Sequence, residues 1–377
     1  MDYLDTPEEA AFRASLRGWL ETNVPQGWQE ITDHAEHDRM YRAWHRKLYA
    51  AGYMGMSWPK EFGGQDRNPV FEAILNEEVG NADAPPVPAI GHFGRALYTY
   101  GSDEQRRRFL PSLLNGELRW CQGFSEPEAG SDLASLRTRA TRVGDHYLVE
   151  GQKMWSTWGI YSDWCMLLVR TDQAAPKHRG ITCLLASMSS PGVEARPIVL
   201  ANGDPETAEV FWDGVEVPVE NRLGEEGDGW RIAMTTVSLE RGPGDVGSVA
   251  HYRKTLRDVE RLAVERGLAG STEVRKALAM AYVYGEAQRL NVIEQLSQRV
   301  SGHLPGPEAS VSKQLWTQAE QYLQHVAMDL VGADALTGAA PGRLAEYLRS
   351  RPLSVYGGTA QIQRNLLAQR VLGLPRN

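Results

Sequence analysis

Apolar residues change their spacing twice along this chain, and those two changes limit the folds open to it. Up to about Gly116 they recur at the interval of one helix face. From Trp120 to about Leu223 they sit in short runs rich in Val, Ile, Leu and Thr, divided by turn signals such as Gly144-Asp145 and Asp213-Gly214. After Gly227-Asp228-Gly229-Trp230 the helical interval returns and persists to the end. An order of α, then β, then α implies an α+β protein. Its expected parts are an N-terminal all-α domain over 1–116, a middle antiparallel β-barrel or sandwich domain over 117–225, and a C-terminal four-helix bundle over 226–377. The chain has 377 residues, enough for two or three domains with large cores.

Local signals place the helices. Thr6 caps the first, with Pro7 in its first turn and Glu9 completing a capping box. A second runs from Asp38 to Ala51 and stops at Gly52, and a third from Phe71 to Val79. Another covers Glu104 to Leu113, where Arg106-Arg107-Arg108 reads as a solvated face rather than a phosphate site. The late helices are Arg257 to Arg266, Glu273 to Arg299, Val311 to Val331 and Gly342 to Ser350. Composition excludes several functions. A net charge of −8 argues against a nucleic-acid binder, and no apolar run is long enough to span a bilayer. Cys121, Cys165 and Cys183 form no CxxC pair, and His34 with His37 lacks a supporting carboxylate motif, so no metal site is expected. The acidic, amphipathic N-terminus is not a signal peptide, and a cytoplasmic location follows as an expectation.

One stretch, Trp120 to Thr157, carries the chemistry. It holds a small-residue loop, Ser125-Glu126-Pro127-Glu128-Ala129-Gly130-Ser131-Asp132, and ends in Trp155-Ser156-Thr157. Such a loop lets backbone N–H groups approach a phosphate or a ring edge. A Trp beside hydroxyls suits a planar cofactor. Taken singly, each piece also reads as a plain hairpin turn or a buried core Trp.

These motifs, with Trp58-Pro59 through Gly63-Gly64, Gly151-Gln152-Lys153-Met154-Trp155-Ser156-Thr157, Gly229-Trp230, Glu240-Arg241 and Gly357-Gly358-Thr359-Ala360-Gln361-Ile362-Gln363-Arg364, resemble the acyl-CoA dehydrogenase family over nearly the whole chain. The resemblance implies FAD held between the β domain and the C-terminal bundle, with a neighbouring subunit completing the site. It implies that Gln122 to Ser131, Gly130 included, lines the flavin and that Ser125 bonds the pyrimidine side. Ser131 then meets both the FAD phosphate and the thioester arm. Trp155 covers a face of the isoalloxazine, Ser156 stands beside it, and the Thr157 hydroxyl reaches N5. Thr359 and Gln361 contact the ADP half, and Arg266 meets the partner subunit's FAD. The family pattern is altered at Ala269, where a Phe is usual, at Gly332-Ala333, where a Gly-Gly pair is usual, and at Trp158, where an Asn is usual.

The implied reaction removes a proton from the carbon next to a thioester and a hydride from the next one. A free carboxylate cannot remove so weakly acidic a proton. Preorganised donors must stabilise the charge on the thioester oxygen, and the base must be a desolvated carboxylate. The resemblance assigns one donor role to the Gly357 backbone N–H, beside Gly358. Many relatives carry the base as Glu in a Tyr-Glu-Gly-Thr sequence. Here the residues are Tyr356-Gly357-Gly358-Thr359, and glycine has no base to offer. Other branches, of isovaleryl and long-chain type, place a Glu on a C-terminal-domain helix before an Arg. Glu240-Arg241 stands at that point, so Glu240 is the expected base and Asp245 the second candidate. Gly242-Pro243-Gly244 follows at once, a signal for a helix end or kink. Arg241 is read either as a contact to the CoA arm or as a structural ion pair. The expected partners are an acyl-CoA substrate and an electron-transfer flavoprotein, in a homodimer, homotetramer or heteromer. Two other readings stay open, a heteromer subunit with an incomplete site and a flavin oxidase on the same scaffold.

Overall fold

The computed structural model describes residues 5–239, 245–303 and 306–375. Its helices are α1 (Pro7–Asn23), α2 (His34–Ala50), α3 (Val70–Asn81), α4 (Gly91–Tyr100), α5 (Asp103–Leu114), α6 (Gly229–Leu239), α7 (Asp245–Glu265), α8 (Thr272–Val300), α9 (Ala309–Val331), α10 (Pro341–Ser350) and α11 (Ala360–Leu366). Its strands are β1 (Trp120–Gly123), β2 (Arg139–Val143), β3 (His146–Thr157), β4 (Trp164–Arg170), β5 (Ile181–Ser187), β6 (Val193–Ile198), β7 (Thr207–Pro218) and β8 (Arg222–Leu223). The capping box at Thr6 forms as expected: Glu9 N–H donates to Thr6 Oγ1 at 3.3 Å and Thr6 N–H to Glu9 Oε2 at 2.7 Å. The second helix begins at His34 rather than Asp38, because Asp33 caps it by accepting from Glu36 N–H at 2.7 Å.

The elements gather into two compact units. One contains α2, α4, α5, the whole sheet and α6. Its strands run in the order β6-β7-β3-β2-β4-β5-β8, with β1 alongside β4. Most ladders are antiparallel, as the short runs divided by turn signals predict. β1 pairs with β4 in parallel, Trp120 opposite Trp164, and β2 meets β4 in one parallel pair. Tyr147, Val149, Leu167, Leu184, Val210, Trp212, Val215 and Val217 fill the interior. β4 and β5 are buried along nearly their whole length, which is why they read as continuous apolar runs rather than alternating ones. The three cysteines are free thiols buried in this unit, and burial pushes those of Cys165 and Cys183 up.

The other unit contains α1, α3 and α7 to α11. Tyr252, Leu256, Val259 and Ala263 of α7 pack with Ala281 of α8 and with Ala319, Leu323, Val326 and Leu330 of α9. Buried Glu78 of α3 ties that helix to α1, accepting from Arg13 at 2.5 Å and Arg17 at 2.6 Å. At Gly247, α7 comes close to α3. A Cβ there would lie 3.0 Å from the Asn76 carbonyl oxygen, so this small residue serves helix packing. Among the described residues no helix is long and apolar enough to cross a membrane.

The Trp58-Pro59 to Gly63-Gly64 motif also has a packing reason. The Trp58 indole is buried against Gly94 of α4, and a Cβ on Gly94 would fall 2.1 Å from the ring. Gly94 lies outside the left-handed region, so the clash alone governs a substitution. Gly94→Ala is expected to destabilise the fold by about 1–3 kcal/mol, read as a lower denaturation midpoint at unchanged slope in urea.

Candidate active site

The loop after β1 is held by a buried ion pair. Lys153, on β3, is 0% exposed, and its Nζ donates to the Phe124 carbonyl at 3.1 Å and to Glu126 Oε1 at 2.8 Å. Glu126, 8% exposed, also accepts from the backbone N–H groups of Arg137 at 2.6 Å and Thr138 at 2.8 Å. Burial on its own would raise the pKa of this carboxyl. The Lys153 charge and the hydrogen bonds from Lys153, Thr138 and Arg137 outweigh it and hold the pKa below the ordinary value. Burial lowers the Lys153 pKa, and the Glu126 carboxylate opposes that. Glu126 and Ala129 exchange backbone bonds of 3.1 Å each way, closing the turn that carries Pro127 and Glu128. The Glu126 carboxylate is therefore committed to Lys153 and to the backbone leading into β2.

β3 ends in a bulge. Lys153 pairs with Val210 and Ser156 with Ala208, so Met154 and Trp155 together oppose Glu209 alone. Trp155 adopts φ +65°, a conformation that bulky residues avoid, and the residue is 53% exposed. The alternative of a buried core Trp is thereby set aside. The next hydroxyl, Ser156 Oγ, is buried with no hydrogen-bond partner among the described residues, and Thr157 is exposed. Met154 N–H donates to the Ser125 carbonyl at 2.9 Å, which sets the loop beside the bulge. Gly130 and Ser131 lie exposed on that loop, and a Cβ on Gly130 would meet only open space. Gln122, half-buried on β1, leads into it.

Past the triplet, Trp158 takes φ +57° and packs on α2. Its ring stacks on His37 at 5.6 Å and 8°, and the Arg119 guanidinium sits 4.5 Å from its centroid. Arg119 in turn pairs with buried Asp38. Arg119 is not singled out in the sequence, and Asp38 reads there only as the start of a helix.

The remaining expected residues lie in the helical unit. Thr359 caps α11, accepting from Ile362 N–H at 3.2 Å, and Gln361 is exposed in its first turn. Gly357 and Gly358 precede it with φ of +62° and +86°. Lys313 of α9, which sequence reasoning passed over, is 7% exposed and lies against Gly357. Arg266 is ion-paired with Asp334 of its own chain. Glu240 and Arg241 lie outside the described residues, as do Gly242, Pro243 and Gly244. They fall between the last residue of α6, Leu239, and the first of α7, Asp245.

Three family models cover the chain in order: the acyl-CoA dehydrogenase N-terminal domain over 6–117, the middle domain over 121–215 and the C-terminal domain over 227–372. The chain belongs to the acyl-CoA dehydrogenase family. It is 37% identical over 380 residues to acyl-CoA dehydrogenase IpdE1 of Mycobacterium tuberculosis, with 97% of each chain covered. Among solved structures it resembles the ChsE4-ChsE5 complex from Mycobacterium tuberculosis at a TM-score of 0.85, with 32% identity and 100% of each chain covered. It also resembles the Tcur3481-Tcur3483 steroid ACAD at a TM-score of 0.87, with 29% identity and 100% of each chain covered. Members of this family are flavoproteins, and the chain is an oxidoreductase acting on acyl-CoA. The residues present fit a flat cofactor. An exposed indole stands on strained backbone, an unsatisfied buried hydroxyl lies next to it, and open space surrounds Gly130.

The ion pair supplies a test. Lys153→Met leaves a buried carboxylate without its cation, and a loss of about 3–5 kcal/mol in stability is expected. Glu126 has a depressed folded pKa, so its contribution is present above the ordinary carboxylate range and is lost as pH falls through the folded value. The cost of Lys153→Met, read from urea denaturation followed by circular dichroism, should therefore be largest above the ordinary carboxylate range and shrink as pH falls and the unpaired Glu126 takes up a proton.

Proposed function

We propose that this chain catalyses FAD-dependent α,β-dehydrogenation of an acyl-CoA thioester. The observation that carries the reading is the bulge at Met154-Trp155. It holds a large ring in a disfavoured backbone conformation and turns it to the outside, beside a loop pinned by its own ion pair. Bound FAD supplies the hydride acceptor. Trp155 covers one ring face, Ser125 donates at the pyrimidine edge, and Thr157 directs its hydroxyl to N5, with Gln122, Gly130 and Ser156 completing that wall. Ser131 serves the phosphate and the thioester arm, and Thr359 and Gln361 serve the ADP half. Arg266, next to its Asp334 partner, serves the cofactor of a neighbouring subunit. The thioester oxygen is received at the Gly357 N–H, with Gly358 and Arg241 along the CoA arm. Glu240 takes the α-proton as the β-carbon gives up its hydride, and a carbon–carbon double bond results. The electrons pass to an electron-transfer flavoprotein in the cytoplasm.

Gly357 itself argues that the base lies elsewhere. Its φ of +62° disfavours any side chain, and a carboxylate there would meet the Lys313 ammonium, which would hold it ionised and weakly basic. Glu240→Gln should keep its flavin and lose bleaching by a good acyl-CoA under anaerobic conditions. Undiminished bleaching would remove Glu240 as the base.

A second reading, in which the chain works as one subunit of a heteromer, draws on the two relatives whose solved structures are named for pairs of chains. Purified alone, a homomeric enzyme should be yellow with one flavin per chain, whereas a half-site subunit should be colourless until its partner is added. The steroid relative further suggests a bulky, ring-bearing acyl group, to be compared with short, branched and long chains by the rate of bleaching. Peroxide formed without an added acceptor would favour an oxidase instead. Trp155→Ala should weaken flavin retention and shift the visible spectrum of what remains bound, while the far-ultraviolet circular dichroism stays unchanged.

A further inference from the structure

The turn Tyr356-Gly357-Gly358 carries no acid, and the fold sets a cation against it. Lys313 of α9 is buried, and a Cβ built on Gly357 would lie 3.8 Å from its Nζ. Two rings flank the ammonium, with the Trp316 centroid at 4.6 Å and the Tyr356 centroid at 4.4 Å. Aromatic faces hold a cation where water is scarce, so the charge stays in a set position.

The backbone of the turn is tied to the same helix. Gln314 Nε2 donates to the Ala360 carbonyl at 2.8 Å and Thr317 Oγ1 to the Leu353 carbonyl at 3.2 Å. From α11, Gln363 Nε2 donates to the Gly357 carbonyl at 3.0 Å. Ammonium and peptide are thus fixed relative to one another. A fixed charge next to a site where opposite charge develops acts without reorganising as the reaction proceeds.

We infer that Lys313 is a positioning residue for the dehydrogenation, and that its ammonium, set behind the Gly357 turn, stabilises the negative charge that grows on the thioester oxygen as the α-proton leaves. This rests on the reading above that the Gly357 N–H receives that oxygen. Lys313 neither accepts nor gives up a proton in the step. The α-proton goes to the carboxylate base, and the hydride from the β-carbon carries the two electrons away to the flavin. The ammonium lowers the energy of the enolate-like arrangement between those events. It acts through the glycine turn, where a side chain at 357 would stand in its path.

The test titrates a ligand whose α-carbon ionises readily. Acetoacetyl-CoA is bound to the flavin-loaded protein, and the pH midpoint of its enolate is read from the long-wavelength absorbance that the enolate forms against oxidised flavin. In Lys313→Met the midpoint should rise by about one to three pH units, since an opposite charge at this range shifts a carbon acid as it shifts other acids. Flavin content, and the Kd of the un-ionised ligand at acid pH, should stay as in the wild type. Lys313→Arg should restore most of the shift. Tyr356→Leu, which keeps the ammonium and removes one ring of its cage, should move the midpoint in the same direction by less. Three results overturn the inference: a midpoint unchanged in Lys313→Met, an equal rise in Lys313→Arg, or a weaker Kd at acid pH with no change in midpoint. Wild-type protein that binds flavin but neither acetoacetyl-CoA nor any acyl-CoA of the bleaching panel would overturn the dehydrogenase reading itself, and this inference with it. That outcome is told apart from the first three because there the wild type binds and ionises the ligand normally.

Discussion

The buried pair of Lys153 and Glu126 is the contact on which the arrangement of the β unit depends. Taking two charges out of water is unfavourable by several kcal/mol each, so an apolar pair would be the simpler core. An apolar pair, however, leaves backbone groups unmet. Between them these two side chains satisfy the carbonyl of Phe124 and the N–H groups of Arg137 and Thr138. The first directly follows β1 and the others lead into β2, while Lys153 itself belongs to β3. Three separate pieces of chain are thereby fastened at one point, and the Ser125 to Ser131 loop is stretched between two of the fastenings. Trp155 follows Lys153 by two residues, so the bulge inherits its position from the same anchor.

The coarse architecture was legible because it rests on periodicity. Helices α8 to α10 follow the intervals at which their apolar residues recur, and the two long-buried strands β4 and β5 show as unbroken apolar runs, whereas α7 begins at Asp245, well before the expected Arg257. The start of α2 was misplaced by four residues because Asp33 was not recognised as its cap. The parallel pairing of β1 with β4 left no local trace, since strand direction is settled by the path of the chain and not by composition. The division of α1 and α3 from α2, α4 and α5 was equally hidden, since all five share the same helical texture.

Within the site, the glycines and hydroxyls stood out, while the charges that hold them did not. Lys153 reads as one polar position in an alternating strand, yet its side chain points inward. Lys313 reads as an exposed helix lysine, yet it is buried between two rings. Glu126 lies far along the chain from Lys153, as Tyr356 and Gly357 do from Lys313, although Trp316 stands only one helical turn from that lysine. Trp158 was noticed as a departure from the family, and the structure supplies its setting. A left-handed residue with a large ring is held by the stack on His37 and by the guanidinium of Arg119, where a small Asn would adopt the same backbone unaided.

The bulge in β3 also has a meaning in chain length. Lys153 and Ser156 both face inward although they are three residues apart, a spacing that in a regular strand would put them on opposite sides. The two-against-one count at Met154 and Trp155 makes up the difference. It lets one strand bury its anchor and its hydroxyl while turning Trp155 and Thr157 outward. A point substitution here alters one side chain. Loss or gain of a single residue would exchange the two faces from that point on, sending Ser156 out and Thr157 in. This segment can therefore vary in composition far more freely than in length.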